Sequence, residues 1–303
     1  MTRPRDPQIL VTGATGQVGG QLLRELAVLG RVVAPSRAEV DLAQPDTIIR
    51  AMRAARPNVI VNAGAYTAVD QAESNVDLCT RINGEAPGVL ADEAAAIGAW
   101  LVHYSTDYVF DGRSDVPYRE NDAPSPLNVY GASKLAGERA IEERGGSYLI
   151  FRTSWVYGAS GTNFLRTIRR LSRERSELRI VADQIGAPTW SRMIAAATAH
   201  ALRSVLHAAK SPSGDESGLY HLTASGSGSW FDFAQAIIDG DPHPTELRCR
   251  HAVPIATDQY PTAAQRPRNS LLDTRRFRER FHLSLPDWRE QLALVLADLR
   301  TNN

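Results

Sequence analysis

Tyr130 and Lys134 stand four residues apart in the run Tyr130-Gly131-Ala132-Ser133-Lys134, which reads as helix. At that spacing two side chains share one helix face, so an ammonium can sit beneath a phenol and stabilise its ionised form. Free tyrosine titrates near ~10, and a neighbouring cation lowers that value toward the range useful for proton transfer. The pair is a candidate general acid with its tuning charge. Spacing alone also fits two neighbours on a solvated face, and composition sharpens the choice. Lys134 and Lys210 are the only lysines among 34 basic residues. In a chain whose default cation is arginine, position 134 calls for a compact ammonium with rotatable donors, able to reach a ribose hydroxyl and a phenol together.

A second chemical stretch is Gly13-Ala14-Thr15-Gly16-Gln17-Val18-Gly19. It follows the apolar run Ile9-Leu10-Val11-Thr12 and precedes Val18, Leu22, Leu23 and Leu26 at helical spacing. Strand, glycine turn and helix in that order let a pyrophosphate approach a helix N-terminus closely, which makes Gly13, Gly16 and Gly19 dinucleotide-binding candidates. The end of the next strand, Arg31-Val32-Val33-Ala34, selects the cofactor. An acidic residue there takes ribose hydroxyls, whereas an arginine accommodates a 2′-phosphate. The chain reads Pro35-Ser36-Arg37 with no carboxylate before Glu39, so Arg37 predicts better use of NADPH than of NADH. Asp41 and Leu42, just beyond, are placed to border the adenine.

These residues need a scaffold, and the pattern supplies one. Proline marks a helix start at Pro45 and a stop at Pro57, and Val59-Ile60-Val61-Asn62 is the third strand. Its exit, Ala63-Gly64-Ala65, is small and leaves room for a ligand at the sheet edge. A helix through Ala86, Leu90 and Ala94 ends near Gly98, and a fourth strand from Trp100 to Tyr104 delivers Ser105-Thr106-Asp107 to the same edge. The helix of Tyr130 runs from after Pro126 to Gly145, and Tyr148 to Arg152 is a fifth strand. Such alternation is the signature of an α/β fold, a doubly wound parallel Rossmann-type sheet. Beyond residue 153 the pattern loosens into a basic amphipathic helix (Phe164, Leu165, Ile168, Leu171), an alanine-rich helix through Ile194 and Val205, and a surface loop at 211–218. Then come Tyr220-His221-Leu222, a helix capped near Ser229, a proline-rich stretch at 261–267 and a last helix after Pro286. A smaller C-terminal α/β domain is expected there.

Composition narrows the function. Over 303 residues, 34 acidic and 34 basic side chains cancel, which disfavours nucleic acid and other partners recognised by bulk charge. No secretory signal or membrane span is apparent, and Cys79 and Cys249 carry no metal-ligand spacing. A reduced, cytoplasmic setting is expected.

Together the motifs resemble the extended short-chain dehydrogenase/reductase family over nearly the whole chain. The resemblance is carried by the 13–19 turn with Gln17-Val18, residues 62–73, Ser105-Thr106-Asp107-Tyr108-Val109-Phe110, Leu127-Asn128-Val129-Tyr130-Gly131, residues 151–157, residues 183–189, Tyr220-His221-Leu222 and Arg266-Pro267. It implies an NADPH-dependent oxidoreductase that reduces the C4 keto group of dTDP-4-dehydro-6-deoxy-L-mannose to dTDP-L-rhamnose, a cell-envelope sugar donor. By the same resemblance Tyr130 is the proton donor and Lys134 binds the nicotinamide ribose. Thr106 hydrogen-bonds the reacting oxygen, Trp155 walls the sugar site, and Thr67, Val69 and Asp107 lie near nicotinamide or sugar. Gly13, Gly16, Gln17, Val18, Gly19, Ala63, Gly64 and Ala65 line the cofactor. Residues 1–153, with later segments near 189–210, are expected to hold NADP(H), and 154–303 mainly the sugar nucleotide. Some members bind magnesium at a dimer interface; Gln21 and Arg192 stand at two of those positions and Asp287 alone is acidic, so no metal is expected and the chain is read as a monomer or a homodimer. Two alternatives stay open. One is an epimerase or dehydratase of the same fold, although only Asp107 of the usual carboxylate pair follows Thr106. The other is a cofactor-binding regulatory subunit without turnover, although Thr106, Tyr130 and Lys134 are all retained.

Overall fold

A computed structural model describes residues 6–208 and 217–301, so most of the anticipated 211–218 loop lies outside the described residues. Six strands form the central sheet: β1 (Gln8–Thr12), β2 (Arg31–Val33), β3 (Val59–Asn62), β4 (Trp100–Thr106), β5 (Ser147–Thr153) and β6 (Gly218–His221). Their spatial order is β6-β5-β4-β3-β1-β2, and every pair is parallel. The doubly wound Rossmann-type α/β reading holds. Because β2 and β3 flank β1, the chain reverses its direction of winding there, and a crevice opens at the carboxyl ends of β1 and β3.

Residues alternate between the two faces, and both faces are covered, which is why the strands read as continuous apolar runs. Ile9, Val11, Val59, Val61, Val102, Leu149 and Phe151 pack on one side against Leu22 of α1 (Gln17–Glu25) and Leu26, the residue that caps its end. On the other side Leu10, Ile60, Leu101 and Ile150 meet Ile48 and Met52 of α2 (Pro45–Ala55) and Leu90 and Ala94 of α3 (Ala86–Ile97). Gly98 closes α3 in the left-handed conformation at φ 67. The chain before α3 is not a regular α-helix. A five-residue π segment, Arg81–Glu85, joins Val76–Thr80 to α3 and turns Asn83 inward.

The Tyr–Lys helix is α4 (Val129–Arg144). Asn128 caps it by accepting from Gly131 N at 2.8 Å, and its amide nitrogen donates to Gln265 O at 2.7 Å, tying the helix start to a distant loop.

The looser second half makes its own core. Leu165 and Ile168 of α5 (Phe164–Glu174), Phe233 and Ile237 of α7 (Trp230–Asp239), and Trp288 and Val295 of α9 (Trp288–Thr301) pack together with Tyr157. Ser229 and Asp232 cap α7 reciprocally. Between them α6 (Ser191–Ala208) returns to the sheet, where Ile194, Leu202 and Val205 join the core of β1 and α1. β6 likewise leaves the second half to become an edge of the first sheet, backed by Phe277 and Phe281 of α8 (Arg275–Phe281).

Candidate active site

The crevice beside β1 is a cavity of about 650 Å³ lined by Thr12, Gly13, Ala14, Thr15, Ser36, Arg37, Asp41, Leu42, Gly64 and Ala65 among others. Gly13 has φ +67, and a Cβ there would lie 2.4 Å from the Gly64 nitrogen. Only glycine fits this point, where two backbones nearly touch. Gly16 N returns to Gly13 O at 2.9 Å, and Gly16 caps α1 with no side-chain hydrogen bond, so the first amides of the helix stay open to an anion. The glycine cradle and the cavity beside it suit a dinucleotide. Arg37 is exposed on its rim. Ser36 is held by Glu39, whose carboxylate accepts from Ser36 N at 2.7 Å and Ser36 Oγ at 2.8 Å.

Two predicted cofactor residues have other partners. Gln17 Oε1 accepts from Asn163 Nδ2 at 3.0 Å, linking the turn to the cap of α5. Val18 packs against the sheet core. Ala63, with Gly64 and Ala65, forms the exit of β3 beside the turn.

Thr106 ends β4 and Tyr130 stands in the first turn of α4, and the two hydroxyls meet. Burial pushes the Tyr130 phenol above its ordinary value, the Thr106 hydroxyl works against that, and Asp107 adds to the rise. Lys134 is 2% exposed, which excludes the solvated-face reading. Its ammonium, however, bonds to His103 Nε2 at 3.1 Å rather than lying under the phenol. The expectation that Lys134 depresses Tyr130 is therefore corrected. Sharing a helix face aligns the two Cβ atoms, but the lysine stem continues inward to the nearest acceptor on β4, and desolvation then dominates the phenol. Burial pulls Lys134 itself down to about 8, against the opposing pull of Glu138 and Cys79.

Asp107 is 3% exposed, and burial pushes it up to about 6, with hydrogen bonding from Ser270 and Thr106 opposing. The Thr106 hydroxyl donates to Asp107 Oδ1 at 3.0 Å and accepts from Tyr108 N at 3.2 Å. Holding a substrate oxygen with that hydroxyl requires it to rotate away, or Asp107 to carry the proton.

Trp155 adopts a left-handed backbone, φ 48, and stacks on Trp230 with ring centroids 3.6 Å apart. A Cβ on Gly186 would lie 2.4 Å from the Trp155 ring, so three segments far apart in sequence shape this wall. A bulky residue held at positive φ costs roughly 1–3 kcal/mol and persists where surrounding structure over-determines it.

Thr67 and Val69 sit on the loop after β3, with Thr67 exposed and Val69 opening the short helix Val69–Ala72. The next residue, Asp70, receives Arg266 through two bonds of 2.7 and 3.0 Å. Arg266 lines two further cavities, of about 900 and 660 Å³, the second reaching Phe164, Ile168 and Trp230. Sequence reasoning assigned no role to Trp230, Asn83 or the Asp70–Arg266 clamp. Asn83 accepts from Tyr66 N at 2.8 Å, donates to Tyr66 O at 2.9 Å, and also reaches Ser133 of α4 at 3.1 Å. The sequence offered no signal for Asn83, which stands among the other polar residues Asp77, Thr80, Arg81 and Glu85.

Among the described residues no group of three or more His, Cys, Asp or Glu side chains is placed to hold a metal ion. Arg192 pairs with Asp298 at 3.3 Å. No described helix is long and apolar enough to cross a membrane.

A parallel sheet with a glycine turn at its switch point, and Thr106, Tyr130 and Lys134 grouped at the neighbouring strand end, define a short-chain dehydrogenase/reductase of the extended kind. The chain matches the family model described as RmlD substrate binding domain over residues 7–301. It is 52% identical to a dTDP-4-dehydrorhamnose reductase of Burkholderia thailandensis, covering 96% of this chain and 99% of that protein. It is 45% identical to the Escherichia coli K12 enzyme of the same name, over 97% and 98%. The crystal structure of dTDP-4-dehydrorhamnose reductase from Bacillus anthracis in complex with NADP superposes with a TM-score of 0.86 at 35% identity, covering 97% of this chain and 99% of that one. The chain belongs to the dTDP-4-dehydrorhamnose reductase family.

Proposed function

We propose that this protein reduces the C4 keto group of dTDP-4-dehydro-6-deoxy-L-mannose to dTDP-L-rhamnose at the expense of NADPH. The observation that carries the reading is that Thr106, Tyr130 and buried Lys134 are brought to β4, in the same parallel sheet as the glycine turn that follows β1. When bound, NADPH supplies the hydride to C4 of the sugar. Tyr130 then gives its proton to the nascent alkoxide, and its raised affinity for that proton keeps it charged with acid at neutral pH. Thr106 orients the same oxygen, and Lys134 holds the nicotinamide ribose. Arg37 meets the 2′-phosphate, and Gly13, Gly16 and Gly19 admit the pyrophosphate to the start of α1. Trp155, stacked on Trp230, forms the wall against which the sugar lies, with Thr67, Val69 and Asp107 around it.

In the same proposal residues 1–153, with α6, hold the cofactor and 154–303 mainly hold the sugar nucleotide. The enzyme works in the cytoplasm as a monomer or a homodimer without a bridging metal.

The test mixes purified protein with the enzymatically generated 4-keto sugar nucleotide, its 3,5-epimerase and NADPH, and follows absorbance with product analysis. One NADPH oxidised per dTDP-L-rhamnose formed supports the reductase. An epimerase or dehydratase would form product without consuming NADPH in proportion, and a regulatory subunit would form none.

A further inference from the structure

Three adjacent strands each carry one polar side chain at the same level of the sheet. Thr12 of β1 is the register partner of Asn62 on β3, and Asn62 is the register partner of His103 on β4. Thr12 and Asn62 end apolar runs and His103 interrupts one, and they are 3%, 1% and 1% exposed. Their side chains are in contact in the same order: Thr12 Oγ1 to Asn62 Oδ1 at 2.7 Å, Asn62 Nδ2 to His103 Nδ1 at 3.0 Å, and His103 Nε2 to Lys134 Nζ at 3.1 Å. The row ends on the buried ammonium. Glu138, one turn further along α4, is taken up by Arg152 through both oxygens at 2.9 and 2.6 Å, which leaves His103 as the hydrogen-bond acceptor beside Lys134 among the described residues.

Proton counting decides how this row must work. With the Asn62 amide nitrogen facing Nδ1, a neutral imidazole carries its proton on Nε2 and points it at the ammonium, a contact of two donors. Turning the amide by half a turn leaves every heavy atom in place and reverses each bond. Thr12 then accepts from Nδ2, Nδ1–H donates to Oδ1, and Nε2 accepts from Lys134. The charged lysine therefore requires Asn62 to show its oxygen to His103. A protonated imidazole is incompatible with that arrangement, and burial together with the Lys134 charge holds His103 neutral.

We propose that Thr12, Asn62 and His103 form a cross-strand row that positions Lys134, with neutral His103 accepting one ammonium hydrogen and Asn62 fixing the imidazole tautomer. One of three N–H bonds is thereby anchored behind the site, and two stay free for the ribose. His103 acts through Lys134 and is a positioning residue. The proposal rests on the reductase reading for the task given to Lys134.

The test uses the full-length protein, with NADPH affinity read by fluorescence alongside steady-state turnover. Gln places an amide where Nε2 stood and Asn places one where Nδ1 stood, so His103→Gln keeps the contact to Lys134 whereas His103→Asn keeps only the contact to Asn62. Turnover should fall about 10- to 100-fold in His103→Asn, with weaker NADPH binding and an unchanged KM for the sugar nucleotide, while His103→Gln stays within about fivefold of wild type. In a Lys134→Met background, His103→Asn should cost nothing further. Equal losses in the two variants, losses that follow the melting temperature, or full activity in His103→Asn would overturn the proposal. If the wild-type protein binds NADPH but does not spend it on the keto sugar, the reductase reading fails by itself, and the ranking of NADPH affinities still judges the row.

Discussion

The two ends of the active site are built by different means. The cofactor crevice is made of backbone: a strand, a turn whose glycines are three apart, and a helix start, all within residues 8–25. The side proposed for the sugar is made of side chains brought from afar, with Trp155, Gly186 and Trp230 packed together and Asp70 and Arg266 paired across 196 residues of sequence. A local backbone device tolerates little substitution but needs few partners. A wall assembled from long-range contacts is adjustable, since each segment that meets there is free to vary in length and chemistry. Families of this fold thus keep one crevice and vary what faces it.

The two ends meet at Tyr130, where the largest effect is expected. Tyr130→Phe keeps the ring and removes the acid, so hydride transfer should fall by about 10²–10⁴ while NADPH still binds. Stopped-flow absorbance beside fluorescence titration separates the two, and joint loss of binding and turnover would assign Tyr130 to the crevice instead.

Arg37→Ala probes the cofactor end alone. Losing a charge-assisted bond of roughly 1.5–3 kcal/mol should weaken NADPH about 10- to 100-fold and leave NADH almost untouched. Equal losses for both cofactors would remove the 2′-phosphate from Arg37.

Gly186→Ala probes the sugar end. The new methyl would stand 2.4 Å from the Trp155 ring and force it off Trp230. The KM for the sugar nucleotide should rise about tenfold, corresponding to roughly 1–3 kcal/mol of overpacking, with the KM for NADPH unchanged. A parallel rise in both would show that the two ends are mechanically joined.

The gentlest probe is pH. Lys134 is lowered from 10.5 to about 8, so its charged form is lost as pH rises through that value. kcat/KM for NADPH should decline about tenfold per unit above roughly pH 8. Stability should move the other way. Between about 8 and 10.5 the unfolded chain keeps the Lys134 proton that the folded chain has released, so this group favours folding increasingly as pH rises through that window. A Lys134→Met variant should lose both trends, which pH-dependent denaturation and initial rates would show.

Much of this protein is decided locally and was therefore legible in the residues alone. The glycine turn depends on backbone freedom at Gly13 and on the strand and helix beside it, and all three are encoded within one short stretch. The strand β3, the left-handed stop at Gly98 and the cap at Ser229 follow from side-chain chemistry within a few residues. Tyr130 and Lys134 declared themselves by spacing and by the rarity of lysine. What those two side chains touch was a tertiary matter. Helical periodicity states which residues share a face and is silent on what that face meets, so it could not say that Lys134 turns to His103 rather than to the phenol. Nor could it say that β6, 65 residues after β5 ends, completes the sheet, or that Trp230 backs Trp155. Thr12 and Asn62 end the apolar runs of β1 and β3, and His103 stands inside β4, which by itself does not say that they meet. Only the pairing of β1, β3 and β4 sets them side by side, because register between strands is fixed by the packing of both sheet faces and not by any one strand.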